Sequence, residues 1–294
     1  MAHCNTVLSQ LIKLIPRHEF ERLANQVDGQ VRSTALSRWS QFLALTVGQL
    51  NGRQSLRDIE SCLSSQVQHH YHLGMQSVSK SALGRANEKR SYDFYAALFE
   101  LLYKRCCQGS SRHGFRFKNK LFSLDGSLLD VSMKLFPWAD YNRQKSAFKL
   151  HLGLDHDGLI PCFVRVTEGK VSENAMAYEF ITNHFNWSAQ TIADIYKQRW
   201  QVELFFKWIK QNLKIKSFLG NSKNAVLTQV LAALCVYLVV AYLKFSAKVC
   251  QSMQQICRLL HTNLFIRRDL ATLFVKQKPN VNISPQMILA LARR

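Results

Sequence analysis

The stretch that most limits what this chain can fold into runs from Ser188 to Leu213, SAQTIADIYKQRWQVELFFKWIKQNL. No Gly or Pro interrupts it, Ser188 is placed to cap its first backbone N–H groups, and apolar residues recur at three- and four-residue spacing, so one long helix is predicted. At about 100° per residue, Ile195, Val202, Phe205, Phe206, Ile209 and Leu213 fall on one arc, the expected buried face. Beside that arc, Tyr196, Arg199, Glu203 and Lys210 project within roughly 60° of one another. One carboxylate is thus flanked by two cations and a phenol. As geometry alone, this is also what a solvated helix edge with i, i+4 ion pairs looks like.

A second reading starts from the order and spacing, Y-x2-R-x3-E-x6-K. This pattern, with its surroundings YKQRWQVELFFKWIKQNLKIKSFLG, resembles the signature of bacterial insertion-sequence transposases of the DDE type. The branch is the one named for its Tyr-Arg-Glu-Lys motif, the insertion sequence four type, and much of the chain on either side resembles it too. The resemblance implies an α/β fold: a ribonuclease-H-like catalytic core preceded by an all-helical N-terminal domain. It also implies that Glu203 is a catalytic, metal-binding carboxylate carried on a helix against the sheet. Tyr196, Arg199 and Lys210 would then hold phosphates of the transposon end.

Charge agrees with a polyanionic partner. The 294 residues carry a formal net charge of +20, spread along the chain: 17 Lys and Arg against 8 acids in residues 1–120, and 22 against 11 in the rest. Each cation near a phosphate releases condensed counterions, which favours nucleic acid over a membrane surface or an acidic protein. The 8 cysteines contain no C-x-x-C pair, and no signal-peptide pattern opens the sequence, so reduced thiols in a cytoplasmic protein are expected. Val226 to Leu243 is the one segment that imitates a membrane span. Thr228 and Gln229 interrupt it, and a buried core helix is expected instead, with no membrane partner.

Four regions follow from composition and period. Residues 1–107 read as helices punctuated by Pro16 and several glycines. Within them SVSKSALGRANEKR, Ser77 to Arg90, has a capping Ser and the basic residues Lys80, Arg85, Lys89 and Arg90. It fits either the recognition helix of a helix-turn-helix unit or an ordinary basic surface helix. The region also resembles the helical domain preceding the core in one group of these transposases, which implies DNA-end binding. His69, His70 and His72 lack the spacing of a tetrahedral metal site and are expected in a solvated loop. Residues 108–120 form a basic connector, residues 121–250 the core, and residues 251–294 a basic, helical C-terminal segment.

In the core, Leu121–Ser132, Ser146–Leu154 and Leu159–Thr167 read as strands, the last two joined by a turn over Asp155–Gly158. Asp125 lies inside the first, where a carboxylate is costly unless it is paired or binds a cation; a strand-end turn with Gly126 is the plainer explanation. The resemblance makes Asp125 the first metal ligand, with Asp130 a weaker alternative. Lys149, with Lys145 and His151, matches a stretch typical of the family and would face DNA from the second strand.

The chemistry the family implies needs three carboxylates and Mg²⁺ or Mn²⁺. Asp125 and Glu203 supply two. The second Asp belongs to a segment between the third strand and the signature helix, and here only EGKVSENAMAYE separates Thr167 from Phe180. It offers Glu168, Glu173 and Glu179 but no Asp, and is too short for the expected insert. An internal deletion near residues 168–180, and hence an incomplete sheet, is expected. Two functions follow: a transposase that binds terminal inverted repeats, cleaves them and transfers strands into target DNA as a homodimer in a synaptic complex, or a non-catalytic remnant that competes for transposon ends.

Overall fold

The computed structural model describes residues 5–29, 36–115, 119–132, 135–142, 145–169, 200–212 and 218–275. The helical half comprises α1 (Val7–Ile12), α2 (Arg17–Asp28), α3 (Arg38–Leu50), α4 (Leu56–Ser64), α5 (His70–Leu73), α6 (Lys80–Lys89) and α7 (Asp93–Gly109). Local chemistry sets where four of them start. The side chains of Thr6, Ser37, Ser55 and Ser79 each accept a hydrogen bond from the first-turn backbone of α1, α3, α4 and α6. Every residue of α3 is buried. Its Trp39 and Phe42 meet Phe20 of α2, and Phe20 meets Phe94 of α7, at ring-centroid separations of 4.9–5.6 Å.

The sheet has three long antiparallel strands, β1 (Phe122–Val131), β3 (Lys145–Asp155) and β4 (Ile160–Glu168), with β3 in the middle. A short strand, β2 (Asp140–Asn142), which the sequence pattern did not signal, pairs with the start of β3. Register assigns the faces. Asp125 is opposite Leu152, Ser127 opposite Leu150 and Leu129 opposite Phe148, so these share one face; Leu128 with Lys149 and Gly126 with His151 share the other. The β3–β4 turn is tight at Gly158 (φ 80°), where an added Cβ would lie 2.8 Å from both Phe245 and Ser110.

Helix α8 (Trp200–Asn212) packs on β1 and β3, burying Val202, Phe205, Phe206 and Ile209. That is the expected arc; Ile195 and Leu213, and the helix before Trp200, lie outside the described residues. Helix α9 (Lys223–Ser246) is capped by Ser222 and buried along almost its whole length. By length and composition it could cross a membrane, yet 94% of its most apolar window is buried within the protein. It packs against α7, α3, α6 and α1 and against β4. Small thiols allow close approach: Cys106 of α7 meets the Leu238 carbonyl at 3.2 Å, and Cys235 meets that of Tyr95 at 3.6 Å. Helices α10 (Met253–Asn263, with a Ser252/Gln255 capping box) and α11 (Leu270–Leu273) follow. The segment joining them returns to α1, where Val7 and Leu8 donate to the carbonyls of Ile266 and Leu264.

Two expectations are corrected. The histidine cluster is not a solvated loop: it forms a short 3-10 turn running into α5, with His69 and His70 buried. His70 Nε2 lies 3.0 Å from the Leu63 carbonyl, and His69 stacks on Phe265. Asp155, expected to open the β3–β4 turn, instead ends β3 fully buried, accepting from Tyr103 Oη at 2.6 Å and Lys120 Nζ at 2.7 Å.

Candidate active site

The site follows from the crossing of α8 over β1. Alternation along β1 sends Asp125 and Ser127 to the face on which α8 lies, and the helical period sends Glu203, Lys207, Lys210 and Gln211 back toward them. Together with Phe206 these side chains line one groove of about 340 Å³. Lys210 also donates to the Leu128 carbonyl at 3.4 Å, tying helix to strand. Asp125 Oδ1 accepts from the Gly126 N–H at 2.9 Å, so the local bond of a turn is present, but inside a continuous strand.

The remaining sequence candidates are placed as follows. Asp130, opposite Ala147, shares the other face of the sheet and does not line the groove; Lys149, opposite Leu128, shares that face too. His151 is fully buried there, 2.9 Å from Thr167 Oγ1. Lys80 and Arg85 are exposed on α6, among the N-terminal helices. Tyr196 and Arg199 lie outside the described residues, as do Glu173, Glu179 and all but the first two residues of the segment 168–180 where the deletion is expected. Ser127 and Gln211 were not singled out from sequence; the period-two partner of Asp125 and the helical repeat of Glu203 were the signals available.

Asp125 and Glu203 bring oxygen donors to a solvent-open groove, and the Ser127 hydroxyl adds a third. Hard divalent cations accept such donors, Mg²⁺ in particular pairing one or two carboxylates with waters and substrate phosphates. The donor set therefore fits one such ion. Among the described residues, no third acid lines the groove and no group of three His, Cys, Asp or Glu suited to a metal occurs. Lys207 and Lys210 give the rim positive charge, so a carboxylate pair and a cationic rim meet in one groove, a donor set of the phosphoryl-transfer class.

Comparison with known proteins agrees with that class. Residues 179–239 match the family described as transposase DDE domain, and residues 3–76 match a domain family of unknown function (DUF4372). A Geobacillus stearothermophilus protein named as a transposase for insertion sequence element IS5377 is 44% identical over 259 residues, covering 58% of this chain and 68% of the relative. A Sinorhizobium fredii protein named as transposase y4zB is 45% identical over 107 residues, 35% of this chain and 29% of the relative. A Synechocystis protein named as a transposase for element IS4SA is 38% identical over 56 residues, 19% of this chain and 17% of the relative. The chain thus spans less than a third of two of these relatives and about two thirds of the other. No solved structure matches significantly. The chain belongs to the DDE transposases of insertion sequence elements.

Proposed function

We propose that this chain binds the terminal inverted repeats of an insertion sequence and that its groove is the DDE site for cleaving DNA and joining it to a target. The observation that carries this reading is the convergence of Asp125 and Glu203, remote in sequence, on one groove beside Lys207 and Lys210. The carboxylates of Asp125 and Glu203 would hold Mg²⁺ or Mn²⁺, which when bound supplies Lewis-acid assistance at phosphorus. Lys207 and Lys210 neutralise the phosphates that approach, the Ser127 hydroxyl offers a hydrogen bond at the floor, and Phe206 walls one side. Tyr196 and Arg199 would add phosphate contacts, and Lys149, on the sheet face away from the groove, would contact DNA from there. Lys80 and Arg85 contact the transposon end from α6, which assigns residues 1–107 to end binding.

The central placement of β3 between β1 and β4, with α8 against β1 and β3, supports a ribonuclease-H-like sheet of the Tyr-Arg-Glu-Lys branch. In this reading the connector is 108–120, the core 121–250 and the C-terminal segment 251–294. The protein works as a homodimer on nucleoid DNA in the cytoplasm.

A specific observation favours the second reading, a non-catalytic DNA-binding remnant: among the described residues the groove offers two carboxylates where the reaction uses three. The IS5377 comparison supports an internal deletion as the reason. That alignment spans 259 residues yet covers 58% of this 294-residue chain, as expected if the relative carries residues that this chain lacks.

One assay separates the readings: Mg²⁺-dependent nicking of duplex carrying the element's own ends. An active enzyme loses nicking in Asp125→Ala and in Glu203→Ala by at least the roughly 10²–10³-fold that removal of one electrostatic stabiliser costs, while end binding persists. Binding without nicking by the unaltered chain identifies the remnant. Nicking that survives Glu203→Ala refutes this placement of the site.

A further inference from the structure

Near the end of α6, the guanidinium groups of Arg38 and Arg90 lie within electrostatic reach of each other and of the Asp28 carboxylate, which Arg38 alone binds. Arg38 holds Asp28 with two hydrogen bonds, of 2.5 Å from Nε and 2.6 Å from Nη2, and also reaches the Ser91 carbonyl. Arg90, at the end of α6, donates from Nη2 to the Leu36 carbonyl, while its Nη1 is buried with no hydrogen-bond partner. Burial, and then the charge of Arg38, push the Arg90 guanidinium below its ordinary range, with Asp28 opposing. A buried donor on an incompletely neutralised cation is costly unless an anion completes it.

Arg90 opens onto a groove of about 790 Å³, lined also by Leu36, Gln76, Ser77, Arg85 and Lys89, with no acid among the described residues that line it. Ala82 and Ala86 of α6 share the same lining and leave its floor open. Arg85, Lys89, Gln76 and Ser77 are exposed and Arg90 is half-buried, so the rim meets solvent. The end of α6 would ordinarily repel an anion through its unpaired carbonyls. Here Asn224 Nδ2 donates to the carbonyls of Asn87, Glu88 and Arg90 at 2.7–3.1 Å, which blunts that repulsion.

We propose that this groove is a phosphate-binding site that takes a phosphodiester group of duplex DNA, with Arg90 as the inner donor and Arg85 and Lys89 as the rim. It rests on the reading of the N-terminal helices as DNA-contacting and adds to it the ligand group and the residues that hold it. The exposed cationic rim suits a backbone running past the site better than a small anion enclosed within it.

The test is the salt dependence of binding to a short duplex bearing the element's end, without divalent cation, so that no cutting intervenes. Each phosphate contact contributes about 0.9 to the slope of log K against log salt. Arg85→Ala/Lys89→Ala, two surface changes that leave the core intact, is expected to lower the slope by roughly 1.8 and weaken binding at least tenfold. Lys13→Ala, on the exposed turn after α1, is expected to leave the slope unchanged. Arg90→Lys, which keeps charge but loses the forked donor, is expected to weaken binding with its circular dichroism unaltered.

If the parent protein binds duplex and the double variant keeps the parent slope, the groove assignment is overturned and the DNA reading stands. If the parent binds no duplex at all, both fall. Thermal stabilisation by inorganic phosphate that disappears in Arg90→Lys, alongside an unchanged DNA slope, would make this a small-anion site and overturn the proposal.

Discussion

Of the aspartates in the strands, Asp125 and Asp155 are answered by the fold in different ways. Asp125 is held at a solvent-open groove opposite Glu203, whereas Asp155 is sealed in against Tyr103 and Lys120. Burial, and then the hydrogen bond to Asp155, raise the Tyr103 phenol well above its ordinary range, so it stays a donor. Replacing Asp155 by Ala strands that hydroxyl and the Asp157 N–H, which donates to the same carboxylate. A loss of about 2–3 kcal/mol is expected, read as a lower urea midpoint at constant m-value. Lys120→Ala costs less, about 1 kcal/mol or under, because its side chain is 47% exposed and water replaces it. Asp125 and Glu203 were singled out from their surrounding motifs, and the fold brings both to one groove. Asp155 was misread because Asp-His-Asp-Gly spells a turn locally, and only α7, distant in sequence, supplies the partner that buries it.

At the scale of elements, α8 showed its buried face through periodicity, and the described part obeys it. Helix α9 was legible as a core helix but not in its allegiance: an all-round apolar sequence carries no directional stripe, so nothing in it says which neighbours it will serve. Its first-turn residue Asn224 closes the end of α6 with three donated bonds and accepts one from the Tyr92 N–H. Asn224→Ala is expected to destabilise by about 2–3 kcal/mol, and hydrogen exchange is expected to accelerate at Tyr92 and in the last turn of α6 more than in α3. The short β2 escaped the sequence reading because three residues are too few for alternation to register.

Over the whole molecule, buried acids of weak kind set the response to alkali. Burial pushes the thiols of Cys106, Cys162 and Cys257 from an ordinary 9.0 up to about 12, aided for Cys106 by Cys107 and for Cys162 by Asp155. Burial likewise raises the phenols of Tyr95 and Tyr237. The folded chain keeps these protons where the unfolded chain has lost them, so their contribution is complete below about pH 9 and is lost as pH rises toward 12. The melting temperature is therefore expected to fall progressively above pH 9; a flat profile to pH 11 would contradict the burial of these groups. The alternation of helical and strand regions could be read in the sequence, but how the helical half and the sheet share one core could not, since that depends on contacts between distant residues.

The position of α9 in the chain also orders events in time. Helices α3, α6 and α7 are finished by residue 109, yet the helix that covers them ends at residue 246. At about 5–20 residues per second, a ribosome spends on the order of ten seconds making the intervening chain. Throughout that interval the inner faces of the first helices have no native cover, and the nascent protein depends on chaperones, or on its own transient collapse, until its late-made helix arrives.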